Sequence, residues 1–324
     1  MNNLETSNNS APQRCLVLGG RGFIGSHLVD ALLDQGYIVR CFDRPHVAPL
    51  GDSHLNNPRF ELYEGDLASE ADVADALIGC DICYHLVSTT LPKSSNADPV
   101  FDVESNLLGT VRLLTYAVKS GVRKVVFVSS GGTVYGVPAE VPIPETHPTD
   151  PVCSYGITKL AIEKYLGLFQ QLHGLDYTVL RIANPYGERQ RTHASQGAIA
   201  VFLGKVLRGE TIEIWGDGSV IRDYIHIADV VDALMLAIGK TSGARVLNVG
   251  AGRGYSLNEV LDAIEKATGL PAQRKYLPGR PFDVPVSLLC IEQAKRVLGW
   301  TPKVDFDEGL QRFAAWLGEH PDAD

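Results

Sequence analysis

The 324-residue chain is expected to form an α/β fold, a doubly wound parallel sheet with a smaller mixed α/β lobe. Three observations predict it. Short apolar runs alternate with helical-period stretches as far as residue 183, the pattern of strand–helix–strand units in a parallel sheet. Glycines 19, 22 and 25 sit between the first apolar run and the first helical stretch. After Asn184-Pro185-Tyr186-Gly187 the alternation loosens into glycines, prolines and basic residues mixed with short helices.

Cys15–Leu18 is apolar throughout, which suits a strand buried on both faces. Gly19, Gly22 and Gly25 follow at G-x-x-G-x-x-G spacing. The first two let the backbone turn tightly and approach a diphosphate, and the third lets the next helix pack close on the strand. Ile24, Leu28, Leu32 and Leu33 give that helix an apolar face, and Gly36 stops it. Tyr37–Phe42 is a second strand, ending in Asp43. A glycine triplet alone marks many ordinary turns. Strand, triplet, helix and an acid at the next strand end together make a Rossmann-type dinucleotide context. Asp43 can accept from ribose hydroxyls and would repel a 2′-phosphate, so NAD is expected over NADP. Arg44 could pair with that phosphate; a solvated loop cation is the plainer reading. Phe23, Ile24, Leu67, Leu86 and Ser88 are further cofactor-wall candidates.

Arg59–Tyr63 reads as a third strand, followed by Asp66, which could meet the adenine edge or cap a helix over Ser69–Leu77. Asp81–Val87 is a fourth strand in which His85 is packed, not catalytic. Thr90–Pro99 is expected as a flexible loop, and Pro99–Ser120 as one long helix. Val125–Val128 is a fifth strand, Tyr155–His173 a second long helix and Tyr177–Ile182 a sixth strand. Both long helices carry apolar residues on more than one side, which suits helix pairing in a homodimer. Asp229–Ile238 (helix) and Arg245–Gly250 (strand) are expected to return to the first lobe. The resulting division is a disordered tail over 1–13, a nucleotide lobe over 14–183 with 224–250, and a substrate lobe over 184–223 and 251–324.

Composition bounds the partners. The chain is 45% hydrophobic and 21% charged, with a net charge of −9. That balance supports neither nucleic-acid nor membrane binding, and no apolar run approaches the ~18 residues of a membrane span. Met1–Pro12 is polar and lacks a basic-then-apolar pattern, so no signal peptide is read there. Of the six cysteines, Cys80 and Cys83 form a C-x-x-C without a second pair at zinc spacing. No metal site is expected, and a cytoplasmic setting follows from reduced thiols.

Tyr155 and Lys159 are four apart and so share one helical face. A tyrosine is a poor base at its ordinary pKa of ~10. A neighbouring ammonium and a cationic nicotinamide would favour its phenolate. Tyr155 could then take a proton from a substrate hydroxyl while hydride leaves the same carbon, and Lys159 could also hold the nicotinamide ribose.

Together with the glycine triplet, this Tyr-x-x-x-Lys resembles the extended short-chain dehydrogenase/reductase family. Ser129-Ser130-Gly131-Gly132-Thr133-Val134-Tyr135-Gly136, Arg222-Asp223-Tyr224-Ile225-His226 and Gly279-Arg280-Pro281-Phe282-Asp283 narrow the resemblance to nucleotide-sugar epimerases and dehydratases, nearest the UDP-hexose 4-epimerases. It extends over about residues 14–315. It implies that Asn184 touches the nucleotide-sugar, that Arg222 and Arg280 clamp its diphosphate, that Asp283 holds the uridine ribose and that Asn106 buttresses the cofactor region. Ser287, four past Asp283, would line the sugar pocket; a small residue there leaves room for a 2-acetamido group.

Two departures from the family pattern matter. The Ser or Thr that usually relays the sugar proton is replaced by Gly131, so Ser130, Thr133 or a water must substitute. The dehydratases' Asp-Glu pair is Gly132-Thr133 here, which argues against elimination. The expectation is an NAD-dependent 4-epimerase acting on a UDP-hexose. The alternatives are epimerisation or decarboxylation of a UDP-uronic acid and a non-catalytic nucleotide sensor.

Overall fold

The computed structural model describes residues 13–45, 47, 54–193, 197–239, 243–279 and 284–320. The chain opens with β1 (Arg14–Leu18), α1 (Phe23–Asp34), β2 (Ile38–Asp43) and β3 (Phe60–Glu64). Next come α2 (Glu70–Leu77), β4 (Ile82–His85), α3 (Pro92–Ser95) and α4 (Pro99–Asp102). A π-helical turn over Val103–Leu108 joins α4 to α5 (Gly109–Lys119). Then follow β5 (Lys124–Ser130), α6 (Ser154–His173), β6 (Asp176–Ile182) and β7 (Asn184–Tyr186). The remaining elements are α7 (Ala198–Leu207), β8 (Ile212–Trp215), β9 (Ile221–His226), α8 (Ile227–Leu236), β10 (Val246–Val249) and β11 (Gly254–Ser256). The chain continues through α9 (Leu257–Thr268), β12 (Arg274–Leu277), β13 (Val286–Ser287), α10 (Glu292–Leu298) and α11 (Phe306–Glu319).

Seven strands pair in parallel in the order β10-β6-β5-β4-β1-β2-β3. The order reverses about β1, whose Leu18 stands between Phe42 of β2 and His85 of β4. Such a switch point opens a crevice at the carboxyl ends of the strands. β1 reads Arg-Cys-Leu-Val-Leu with its last four residues fully buried, because helices cover both faces. On one face Leu28 and Leu32 of α1 pack with Val230 and Leu234 of α8. On the other, Val73, Leu113, Leu114, Ile162 and Leu166 come from α2, α5 and α6. Each such side chain contributes roughly 1.5–3 kcal/mol by leaving water.

The second lobe has its own core, in which Leu203, Ile214, Leu261 and Phe313 meet. Its β9 pairs with β7, β11 and β13, and β8 pairs with β12. β10 lies beside β6 at the edge of the large sheet, where the sequence places the returning strand.

Three boundaries differ from expectation. The long helix over 99–120 is broken into α4, the π turn and α5, and the extra residue of the π turn points Asn106 inward, where it is 6% exposed. The stretch expected as a flexible loop contains α3, started by Pro92. The fourth strand is shorter than 81–87. The end of α6 is as expected, with Gly174 at φ 70° closing it in the left-handed conformation.

All six cysteines are free, and burial pushes the Cys80 thiol up to about 11 and that of Cys83 higher, as inert packed thiols. Among the described residues no helix is long and apolar enough to cross a membrane, and no cluster of His, Cys, Asp or Glu is arranged to hold a metal.

Candidate active site

A cleft of 880 Å³ opens at the carboxyl ends of β1, β4, β5 and β6. The large sheet supplies the Gly19–Gly25 turn, Leu86, Ser88, Ser130 and Thr133 as one wall, with Tyr155 from α6. The second lobe supplies Asn184, Phe202, Trp215 and Arg222 as the other.

The glycine turn is shaped by close approach. Gly19 has φ +82°, and a Cβ on Gly25 would stand 2.1 Å from the Gly19 carbonyl oxygen. Gly22 is the N-cap of α1 and offers no side-chain cap to the first-turn amides. Those N–H groups, at the positive end of a helix, suit a diphosphate. Phe23 and Ile24 lie in the same wall. Asp43 ends β2, where it accepts the Arg21 and Arg44 amides at 3.1 and 2.9 Å. The Arg44 side chain is exposed. Asp66 is also exposed and turns back to accept the Ala68 amide, while Ser69 is the residue that caps α2. Leu67 is buried against Gly109, not on the cleft wall.

Tyr155 lines the cleft and Lys159 lies one turn deeper, 4% exposed. The lysine ammonium donates to the Val128 carbonyl at 3.0 Å and stands 5.6 Å from the Tyr155 ring centre. Burial lowers the Lys159 pKa to about 8, against the pull of Asp102 and Glu163. Burial raises the Tyr155 phenol to about 12, with Cys153 and Asp102 adding to the rise and a hydrogen bond from Ser88 opposing it. The expectation joined the Lys159 ammonium to a cationic nicotinamide; with the ammonium alone, desolvation of the phenol wins.

Segments far apart in sequence fix this pair. The first amides of α6, Ser154 and Tyr155, donate to Asn96 Oδ1 at 2.9 Å and Ser95 Oγ at 3.0 Å. Asn106 Oδ1 accepts the Thr89 amide at 2.9 Å, and its Nδ2 donates to Asp102 at 3.0 Å. Asn106 thus stands behind the wall, bracing the loop after β4. Behind β5, Arg181 and Glu163 form a buried two-point ion pair at 2.6 and 3.0 Å, and Ser129 donates to the same carboxylate at 2.6 Å. His85 is buried and neutral, its pKa lowered to about 3 by desolvation, as a packing role requires.

The structure explains Gly131. A Cβ there would lie 2.5 Å from Leu289 Cδ1 and 3.2 Å from the Arg181 carbonyl. Leu289, from the segment after β13, fills the space that a relay hydroxyl would occupy. Gly132 faces open space. Thr133 lies against the start of α6, because Gly156 has no side chain to hold its carbonyl away. Its Oγ1 is buried with no hydrogen-bond partner among the described residues.

On the substrate side, Asn184 donates to the Asp223 carbonyl at 2.8 Å. Arg222 donates to the carbonyls of Ile221 and Val284 at 2.8 and 2.7 Å. Ser287 stands opposite Arg222 on β13, half-buried, and is not one of the cleft-wall residues. Arg280 and Asp283 lie outside the described residues. Sequence reasoning missed Asp223, 1% exposed, whose oxygens take the Ala251 and Leu289 amides at 2.7 and 3.2 Å. It also missed Trp215 and Phe202, which the loosened pattern past residue 187 gave no means of placing.

Residues 15–250 match the model of the NAD dependent epimerase/dehydratase family. The chain belongs to that family. Its members depend on NAD, and the glycine turn, the uncapped start of α1 and Asp43 are the features that fit this cofactor. The chain is 40% identical to a UDP-glucose 4-epimerase of Mycolicibacterium smegmatis over 92% of its own length and 96% of the relative's. Among solved family structures, the UDP-glucose 4-epimerase of Thermotoga maritima with UDP-glucose superposes with a TM-score of 0.89 at 37% identity, over 96% of this chain and all of that one. The UDP-N-acetylglucosamine 4-epimerase of Methanobrevibacter ruminantium, in complex with UDP-N-acetylmuramic acid, also gives 0.89, at 30% identity and the same coverage.

Proposed function

We propose that this epimerase-family protein inverts C4 of a UDP-hexose. Residues 14–183 with 224–250 hold NAD, and 184–223 with 251–324 hold the UDP-sugar. The observation that carries the reading is that one cleft is lined by Tyr155 and by Thr133, whose hydroxyl has no hydrogen-bond partner among the described residues, with no acid at Gly132 or Thr133. Tyr155 takes the proton of the 4-hydroxyl, directly or through Thr133 or Ser130, and returns it after the sugar has turned. Lys159, fixed by the Val128 carbonyl, supplies the cation beneath the tyrosine and a donor for the cofactor ribose. Arg222 and Asn184 face the diphosphate, with Arg280 and Asp283 assigned to the nucleotide by resemblance. NAD, held at the glycine turn, the start of α1 and Asp43, would supply the reversible hydride chemistry at C4.

The substrates we propose are plain hexoses and their 2-acetamido counterparts, the second from the resemblance alone, since Ser287 is not on the cleft wall. Exposed Phe101, Val103, Ile157 and Leu172 beside α5 and α6 support a homodimer, and free thiols support a reducing, cytoplasmic setting. NMR of products from UDP-Glc, UDP-GlcNAc and UDP-GlcA tests the reading. C4 epimers of the first two are expected, whereas a pentose with carbon dioxide, or no change, would sink it. Tyr155→Phe should keep the fold and lower kcat by about 10²–10⁴-fold.

A further inference from the structure

We propose that Asp102 is a positioning residue that aims Tyr155 and Lys159 into the cleft and sets the electrostatic field around them. The inference rests on the reading of those two side chains as the proton-handling pair. Asp102 is fully buried at the end of α4. Its Oδ1 accepts from the Thr90 hydroxyl and from Asn106 Nδ2 at 3.0 Å. Its Oδ2 accepts from the Ser154 hydroxyl at 2.7 Å and the Thr158 hydroxyl at 2.8 Å. Each oxygen therefore has two donors, which fills the acceptor capacity of a carboxylate and fixes its plane.

The geometry of α6 shows what that fixing does. Ser154 and Thr158 are four apart, and so are Tyr155 and Lys159. The two pairs sit side by side on the helix, turned about 100° from one another. Gripping the first pair sets the rotation of α6 about its axis, and with it the direction of the second. The same carboxylate reaches the Thr90 hydroxyl and, through Asn106, the Thr89 amide. It therefore ties the loop after β4, which bears Ser88, to the helix that bears Tyr155.

A negative charge in this place also acts on both groups. It raises the Tyr155 phenol and raises the Lys159 ammonium. The other groups facing the pair are Cys153 and Glu163 on α6 and neutral His85 on β4. None of these three contacts both helix pairs.

The test is Asp102→Asn, which keeps the shape and removes the charge. Both limbs of the kcat–pH profile should move to lower pH by about one unit, because the phenolate becomes easier and the ammonium harder to form. KM for the UDP-sugar should stay within about twofold, since Asp102 does not touch it. Amide hydrogen exchange at Ser154 and Tyr155 should remain protected, because Asn96 and Ser95 hold those amides. A fall in kcat with both limbs in place, or limbs moving to higher pH, would reduce Asp102 to a structural peg and overturn the proposal. Thr158→Val is the second variant, needed if the first does not fold. It strips one donor and leaves the charge less screened, so the limbs should move slightly upward; unchanged limbs with unchanged kcat overturn the proposal. Tyr155→Phe separates the layers. If it retains kcat, the proton-handling reading itself fails; if it is inactive while Asp102→Asn leaves the limbs in place, only the role of Asp102 falls.

Discussion

Replacing Thr133 by valine should move stability and activity in opposite directions. The two side chains have the same shape, so packing against α6 is kept. What disappears is a hydroxyl whose oxygen is buried with no partner among the described residues. An unsatisfied buried hydroxyl costs about 1–3 kcal/mol, part of which valine recovers. At about 2–4 °C of melting temperature per kcal/mol, a rise of a few degrees is the expected upper range, and no loss is the lower bound. On the proposed mechanism the same change removes the relay between the 4-hydroxyl and Tyr155. Turnover should fall by about 10²-fold or more, with KM nearly constant. Calorimetry and a coupled epimerase assay on one preparation read both numbers. A variant that melts several degrees lower would show that the hydroxyl is paired in the native state. A variant with wild-type kcat would show that the relay runs elsewhere, with Ser130 the next candidate.

Gly131→Ser should destabilise by about 1–3 kcal/mol, because its Cβ meets Leu289 Cδ1 at 2.5 Å; urea unfolding of Gly131→Ser with and without Leu289→Ala should show the double variant recovering part of the serine's cost. Asp43→Ala should weaken NAD binding more than NADP binding, read by titration; tighter NADP binding by the wild type would refute the ribose reading. Burial raises the Asp223 pKa to about 6 from an unfolded 3.8, so the native state holds its proton more tightly. Stability from that group is present at low pH and lost as pH rises from about 4 to 6. Asp223→Asn should consequently cost less at pH 7 than at pH 4, by up to about 3 kcal/mol, in paired urea melts.

The nucleotide half was legible because its signals are local. Three glycines, an apolar β1 and Asp43 all fall within 30 residues, and each has one backbone reason to be there. The Tyr155–Lys159 pair was legible because helical spacing alone puts the two on one face. Asp102 was not, since its partners lie 12, 52 and 56 residues away in sequence. A carboxylate in an expected helix reads as a solvated charge until the fold brings α6 beside it. The π turn likewise hides in a helical pattern, because one inserted residue does not break apolar periodicity. Gly131 was visible as an omission, but its cause, Leu289, lies 158 residues on and required the second lobe to be placed.

The seam around Asp223 has a consequence for how a sugar can turn over in place. One carboxylate on β9 binds the amide of Ala251, just past the edge strand of the large sheet, and that of Leu289, while the carbonyl of the same residue receives Asn184. One buried carboxylate thereby ties β9 to the segments that follow β10 and β13 along the floor of the cleft, and parting them would strand it without donors. On the proposed reading the sugar turns within the 880 Å³ that the cleft already offers, and the floor these bonds fix bounds the bulk of the substrate.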